Sequence, residues 1–227
     1  MFLFSLFANP YSLYAGIEAK PNWVKPFAVI TLLAFVTLAL LYPINQHLLM
    51  RQIANLDAAR LNSIQSALRM SGYFSLVLAP VRQLIVLSLM AYFLYLTLMV
   101  SGFQLCYRKV LALSAYASVF ASLDALWGSA TNFAHGIDNI KQLTDIQTTF
   151  LGAAAFIDLA QHPLLRELAD SLSPLSLWYW SFLILGISWL TKISKLRAAG
   201  CVAPLWACQV AVHVIAQLLG RMMEQMR

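Results

Sequence analysis

The chain has 227 residues, of which 61% are hydrophobic and only 11% charged, and its mean hydropathy is +0.73. Soluble domains carry roughly a quarter of charged residues, so this composition excludes an ordinary water-soluble core and fits one membrane bundle. The formal charge of +6 does not point to nucleic acid, because no Lys/Arg cluster is interleaved with aromatics as a polyanion groove requires.

Long apolar blocks decide the architecture. A helix needs about 20 mostly apolar residues to cross a hydrocarbon core of about 30 Å, and only helices or closed barrels hide their backbone polar groups there. The blocks here are continuous rather than alternating, which predicts helices. Met1 to Pro10 lacks the basic n-region of a secretory signal, and its apolar run Phe2 to Phe7 is too short for one, so the first span is expected to target the protein.

In chain order, Asn9 and Pro10 read as a helix start, Asn capping free N–H groups and Pro fitting the first helical position. The helix runs over residues 9–20 to the residue before Pro21. Leu13, Tyr14 and Ile17 share a face opposite Glu18 and Lys20, which predicts a short helix lying in the membrane interface. Trp23 follows as a headgroup anchor, and the first span covers residues 24–42 and ends at Pro43. Asn45 to Met70 reads as amphipathic helix in two pieces with a break near Asp57.

The second span lies within Tyr73 to Val100, entered as 78–100, with Pro80, Arg82 and Gln83 near its start. A basic connection at Arg108 and Lys109 leads to the third span, 110–127. Ser114, Ser118 and Ser122 recur there at four-residue spacing with Ala117, Ala121 and Ala125 alongside, a small-residue surface that lets helices approach closely. Thr131 to Asp170 is mixed, and its apolar patch Phe150 to Ile157 is too short to cross, which predicts an interfacial or re-entrant segment. Pro163 opens a further amphipathic piece, followed by an aromatic fourth span, 175–190. The fifth, 198–219, carries Ala199, Ala203, Ala207 and Ala211 in the same four-residue repeat, so the third and fifth helices are expected at the bundle centre.

The expectation is an all-α membrane protein: one five-helix transmembrane bundle with an N-terminal interfacial helix and amphipathic loop helices. Cations packed in short connections (Lys20 and Lys25, Arg108 and Lys109, then Lys192, Lys195 and Arg197) place the N-terminus in the cytoplasm and the C-terminus outside. Inner-membrane residence is the accompanying expectation.

Several residues are similar to the Yip family, multispanning proteins named for eukaryotic members that interact with Ypt/Rab GTPases. Leu6, Phe7, Asn9 and Pro10 followed by Trp23 resemble the family's L-F-x-x-P opening and the Trp before its first span. Gly102, Phe103, Val110, Tyr116 and Ala117 resemble its G-x-F start to the third span. Trp178 and Gly186, then Lys195, Ala198 and Trp206, resemble its fourth span and the basic turn into the fifth. The resemblance implies five spans and a cytoplasmic N-terminus. Only about 20 residues precede the first span, and the acidic-aromatic D-L-Y-G-type motif of eukaryotic members is absent. The match is therefore to the prokaryotic branch, and no Rab GTPase partner is inferred.

Candidate chemistry is sparse. Arg82 and Asp124 are the ionisable residues expected at membrane depth, where a charge costs at least about 2.5–3.5 kcal/mol. If the second and third spans run in opposite directions they reach similar heights, so Arg82, Gln83 and Asp124 form a candidate intramembrane polar network. The alternative is that Arg82 snorkels outward from a span that starts at Pro80, with Asp124 near the opposite helix end. His135 with Asp138, and Asp158 with His162, have helical spacing, but without a third ligand they read as loop residues. His213 in the last span reads as a residue bonded to a neighbouring carbonyl or side chain. Cys106, Cys201 and Cys208 read as unpaired, with no zinc site. No H-E-x-x-H or G-x-S-x-G occurs, so no catalytic residue and no cofactor are assigned. The function expected is a non-catalytic membrane protein that binds or organises a lipid, another membrane protein or a second copy of itself. A transporter, channel or lipid-passage protein using Arg82, Gln83 and Asp124 is the alternative.

Overall fold

A computed structural model describes residues 6–52, 58–134, 136 and 172–225. They are helical almost throughout, in six helices: α1 Pro10–Ala19, α2 Val24–Gln52, α3 Ala58–Val100, α4 Tyr107–Ala134, α5 Pro174–Thr191 and α6 Lys195–Gln225. No strand occurs among the described residues. The expected segments at 53–57 and 137–171, with His135, Asp138, Asp158 and His162, lie outside them, as does the side chain of His213.

Local chemistry explains where the helices begin and end. The Asn9 side chain accepts the Ser12 N–H at 3.3 Å and Pro10 opens α1, while Ser173 accepts the Ser176 N–H at 3.0 Å and Pro174 opens α5. Gly102, at φ 81°, closes α3: its N–H reaches the Met99 carbonyl and the Phe103 N–H reaches Leu98, each at 2.9 Å.

Among the described residues four stretches are long and apolar enough to cross a membrane: Val24–Leu48, Met70–Val100, Tyr107–Ala134 and Pro174–Thr191. Their outward faces carry exposed large apolar residues, among them Leu32, Val36, Val77, Ile85 and Leu89, a surface suited to hydrocarbon and not to water. The expected stop at Pro43 is not seen. Pro43 lies inside α2, Pro80 inside α3 and Pro204 inside α6, and the polar pieces Asn45–Gln52 and Ala58–Met70 simply extend α2 and α3. Without competing water, a helix tolerates the hydrogen bond that proline removes. Helix α4 likewise runs past Trp127 to Ala134, with Ser129 and Thr131 returning their hydroxyls to the carbonyls of Ala125 and Gly128 at 2.8 Å.

Helix α4 is the centre. Of its apolar stretch 61% is buried, against 17–28% in the other three. It packs on α2, α5 and α3, and α1 also touches it. Ala112, Ala115 and Ala117 are fully buried and Ser114 nearly so. The serines act as small spacers: Ser118 and Ser122 donate to the carbonyls of Ser114 and Ser118, at 2.8 and 3.0 Å, and not across to another helix. Helix α6 differs from expectation. Ala203, Ala207 and Ala211 are exposed and Ala199 half-buried, while Ala198, Cys201, Val202 and Leu205 face inward onto the core. It is a peripheral helix, packed on α5 and α3.

Helix α1 and the residues just before it pack against the bundle. Phe7 meets Phe120 edge-on at 5.0 Å and stacks on Trp178 at 6.3 Å, and Tyr14 donates its hydroxyl to the Phe182 carbonyl at 2.9 Å. At its far end Glu18 accepts from Trp189 at 3.1 Å and pairs with Lys192 at 3.6 Å. These contacts advance together along both segments, so α1 runs beside α5 in the same direction. Burial, aided by Tyr11, holds the Tyr14 hydroxyl well above the usual phenol range, so it remains a donor.

Gly186 makes that approach work. A Cβ there would collide with the Leu113 side chain and come within 3.0 Å of the Tyr14 ring, and both residues are buried. Gly16 has open space around it. Gly186→Ala should therefore destabilise the bundle by about 1–3 kcal/mol through overpacking, while Gly16→Ala should be neutral or slightly stabilising. Thermal or denaturant unfolding in detergent checks this, and equal midpoints for the two variants would refute the close approach.

Candidate functional site

Among the described residues a groove of about 820 Å³ is floored by α4 and walled by α2, α3, α5 and α6. Its lining is mostly apolar: Ile30 and Ala34 from α2, Leu89, Phe93 and Leu96 from α3, Leu205 from α6. Leu89 and Leu96 are exposed, so it opens along α3. Apolar walls with a few convergent polar groups are the usual make-up of a ligand site.

Several of its polar groups gather in one band. Arg82 and Gln83 of α3, Ser118 and Ser122 of α4, Ser176 of α5 and Gln209 of α6 all line it. The register explains this. Leu87 and Ala91 of α3 cluster with Leu111 and Ala115 of α4, and in an antiparallel pair this carries Gln83 to about the height of Ser118 and Ser122. Arg82 is the one charged residue among the described residues lining the groove, and it makes no hydrogen bond or ion pair with any of them. The Gln209 side-chain oxygen is buried and also lacks a partner.

Asp124 is not in that lining. It is buried behind the wall, where its Oδ2 accepts the hydroxyls of Ser173 at 2.7 Å and Ser176 at 3.2 Å. The two hydroxyls supply the hydrogen-bond donors that a carboxyl oxygen needs once it is out of contact with water. Of the sequence-derived trio, then, Arg82 and Gln83 share the groove, and Asp124 is tied to the start of α5. No ion pair joins Arg82 to Asp124. Sequence reasoning missed Ser173, Ser176 and Gln209. The Ser-Pro pair at 173–174 was a readable helix-start signal, but nothing in the sequence paired it with Asp124.

Cys201 is buried, whereas Cys208 is exposed and lines the groove. Among the described residues no three His, Cys, Asp or Glu side chains gather as a metal ion would require. The chain matches no protein-family profile, no curated protein and no solved structure.

The Asp124 carboxylate and the Ser173 cap form one unit: Ser173 receives the Ser176 N–H and donates to Asp124. Asp124→Ala should cost about 1–3 kcal/mol and Ser173→Ala about 1 kcal/mol or more. In a double-mutant cycle the two should be coupled by at least about 0.5 kcal/mol. Strictly additive losses in unfolding would mean the hydrogen bond contributes nothing.

Proposed function

We propose that the chain is a non-catalytic, multi-pass membrane protein of the Yip type that holds a membrane lipid in the groove between its helices. The observation that carries this is the groove itself: about 820 Å³, apolar along most of its length, open along α3, and crossed by one band of polar side chains. A lipid has the matching division between chain and headgroup. The bundle's exposed apolar faces support a hydrocarbon surround, from which such a ligand would enter.

In this reading α6 is the fifth span, its apolar block 198–219 lying against α3 and α5. The short cationic connections at Lys20 and Lys25, at Arg108 and Lys109, and at Lys192, Lys195 and Arg197 face the cytoplasm. The N-terminus is then cytoplasmic, the C-terminus outside, and the compartment the inner membrane. The polar band also supports lipid passage as a second reading, in which headgroups move past Arg82 and Gln83 instead of resting there.

Native mass spectrometry after mild detergent extraction tests the lipid reading. The unmodified protein should retain phospholipid, and Ala121→Trp should displace it by filling the groove from the α4 floor, where Ala121 lines it and is exposed. Equal retention by both would refute the groove as the lipid site. Cysteine labels at the two chain ends should report opposite compartments; a shared compartment would refute the five-span topology.

A further inference from the structure

We infer that the groove selects an anionic phospholipid, with the lipid phosphate held by Arg82 and its acyl chain laid along α3 toward Leu96. The inference rests on the lipid-groove reading and adds to it the charge of the ligand and the residue that reads it.

Charge complementarity comes first. Arg82 is exposed and lines a groove that no carboxylate among the described residues lines, and it has no partner among them. A guanidinium so placed presents its planar donors to whatever oxyanion enters, and phosphate matches that fork. The nearby carboxylate, Asp124, does not compete. It is 4% exposed behind the wall and takes the hydroxyls of Ser173 and Ser176. Gln83, Ser122 and Gln209 add neutral hydrogen-bonding groups, and the unpartnered oxygen of Gln209 offers an acceptor to a headgroup hydroxyl or amine.

Depth is the second argument. Helix α3 ends at Val100, before the basic connection of Arg108 and Lys109. From Val100 back to Arg82 is 18 residues, about 27 Å at 1.5 Å per residue, close to the about 30 Å of a hydrocarbon core. Arg82 thus reaches the headgroup level of the leaflet opposite that connection. The groove continues from Arg82 to Leu96, about 21 Å at the same rise, past Leu89 and Phe93. A free phosphate ion would use only the first few ångströms of this length, which is why the occupant is a lipid.

The test uses the full chain in nanodiscs of phosphatidylcholine with or without phosphatidylglycerol, reading bound lipid by native mass spectrometry after transfer to detergent. Phosphatidylglycerol should be retained about tenfold over phosphatidylcholine, because the choline ammonium of the latter would lie beside Arg82 and offset the attraction to the phosphate that both lipids carry. Arg82→Gln should abolish the preference, Arg82→Lys should keep most of it, and excess inorganic phosphate should leave it unchanged. Should Arg82→Gln fold poorly, the Lys variant and the phosphate competition still decide the matter. Equal retention of both lipids by the unmodified protein, with both displaced by Ala121→Trp, would overturn the headgroup assignment while sparing the lipid groove. Retention that Ala121→Trp does not alter would overturn the groove reading itself. Displacement by inorganic phosphate would show an ion site in place of a lipid site.

Discussion

The bundle depends on how closely other helices can approach α4. In hydrocarbon, lipid tails are as apolar as leucine, so helices gain nothing by hiding apolar surface from one another, and packing contacts decide which faces meet. Helix α4 supplies the thin surface this needs: Ala112, Ser114, Ala115 and Ala117 bring backbones together, and Leu113, Val119 and Phe120 fill the gaps between them. Gly186 repeats the device on α5, letting Leu113 and Tyr14 share one space. The N-terminal segment fits into that opening, with Tyr14 packed where Gly186 leaves room.

The polar groups follow from the same packing. With α5 pressed against α4, a carboxylate at position 124 meets the first turn of α5, where Ser173 caps the helix and Ser176 lies one turn on. A buried carboxyl without partners would be costly there. Two hydroxyls offset the cost and tie the start of α5 to the centre of the bundle. That attachment fixes Ser176 and Tyr179 as a wall of the groove, so the site's shape traces back to a residue the site does not display.

How much of this the sequence disclosed depended on the signal. The apolar blocks marked the helices, and the small residues of α4 marked a helix that is indeed deeply buried. The alanine repeat of α6 has the same spacing yet faces outward. Periodicity separates inside from outside only when one side is wet; around a membrane helix both sides are apolar, and four-residue spacing names a face without saying what it touches. Pro43 misled for a related reason, since proline is a strong stop in water and a tolerated interruption in lipid. Hydrogen-bond partners between distant segments, such as Asp124 with Ser173, had no local signature at all.

The separation of Arg82 from Asp124 carries the functional argument furthest. Read along the chain, two opposite charges at similar heights invite neutralisation, which would make both structural. In the fold the carboxylate is satisfied by serines on one side of a helix wall, and the guanidinium stands on the other with no described side chain to answer it. A guanidinium lining an apolar groove, with no described side chain to neutralise it, is complemented by an oxyanion that enters the groove. Headgroups are the anions a bilayer offers at that depth, so the unanswered charge of Arg82 is what would give a bound lipid its orientation.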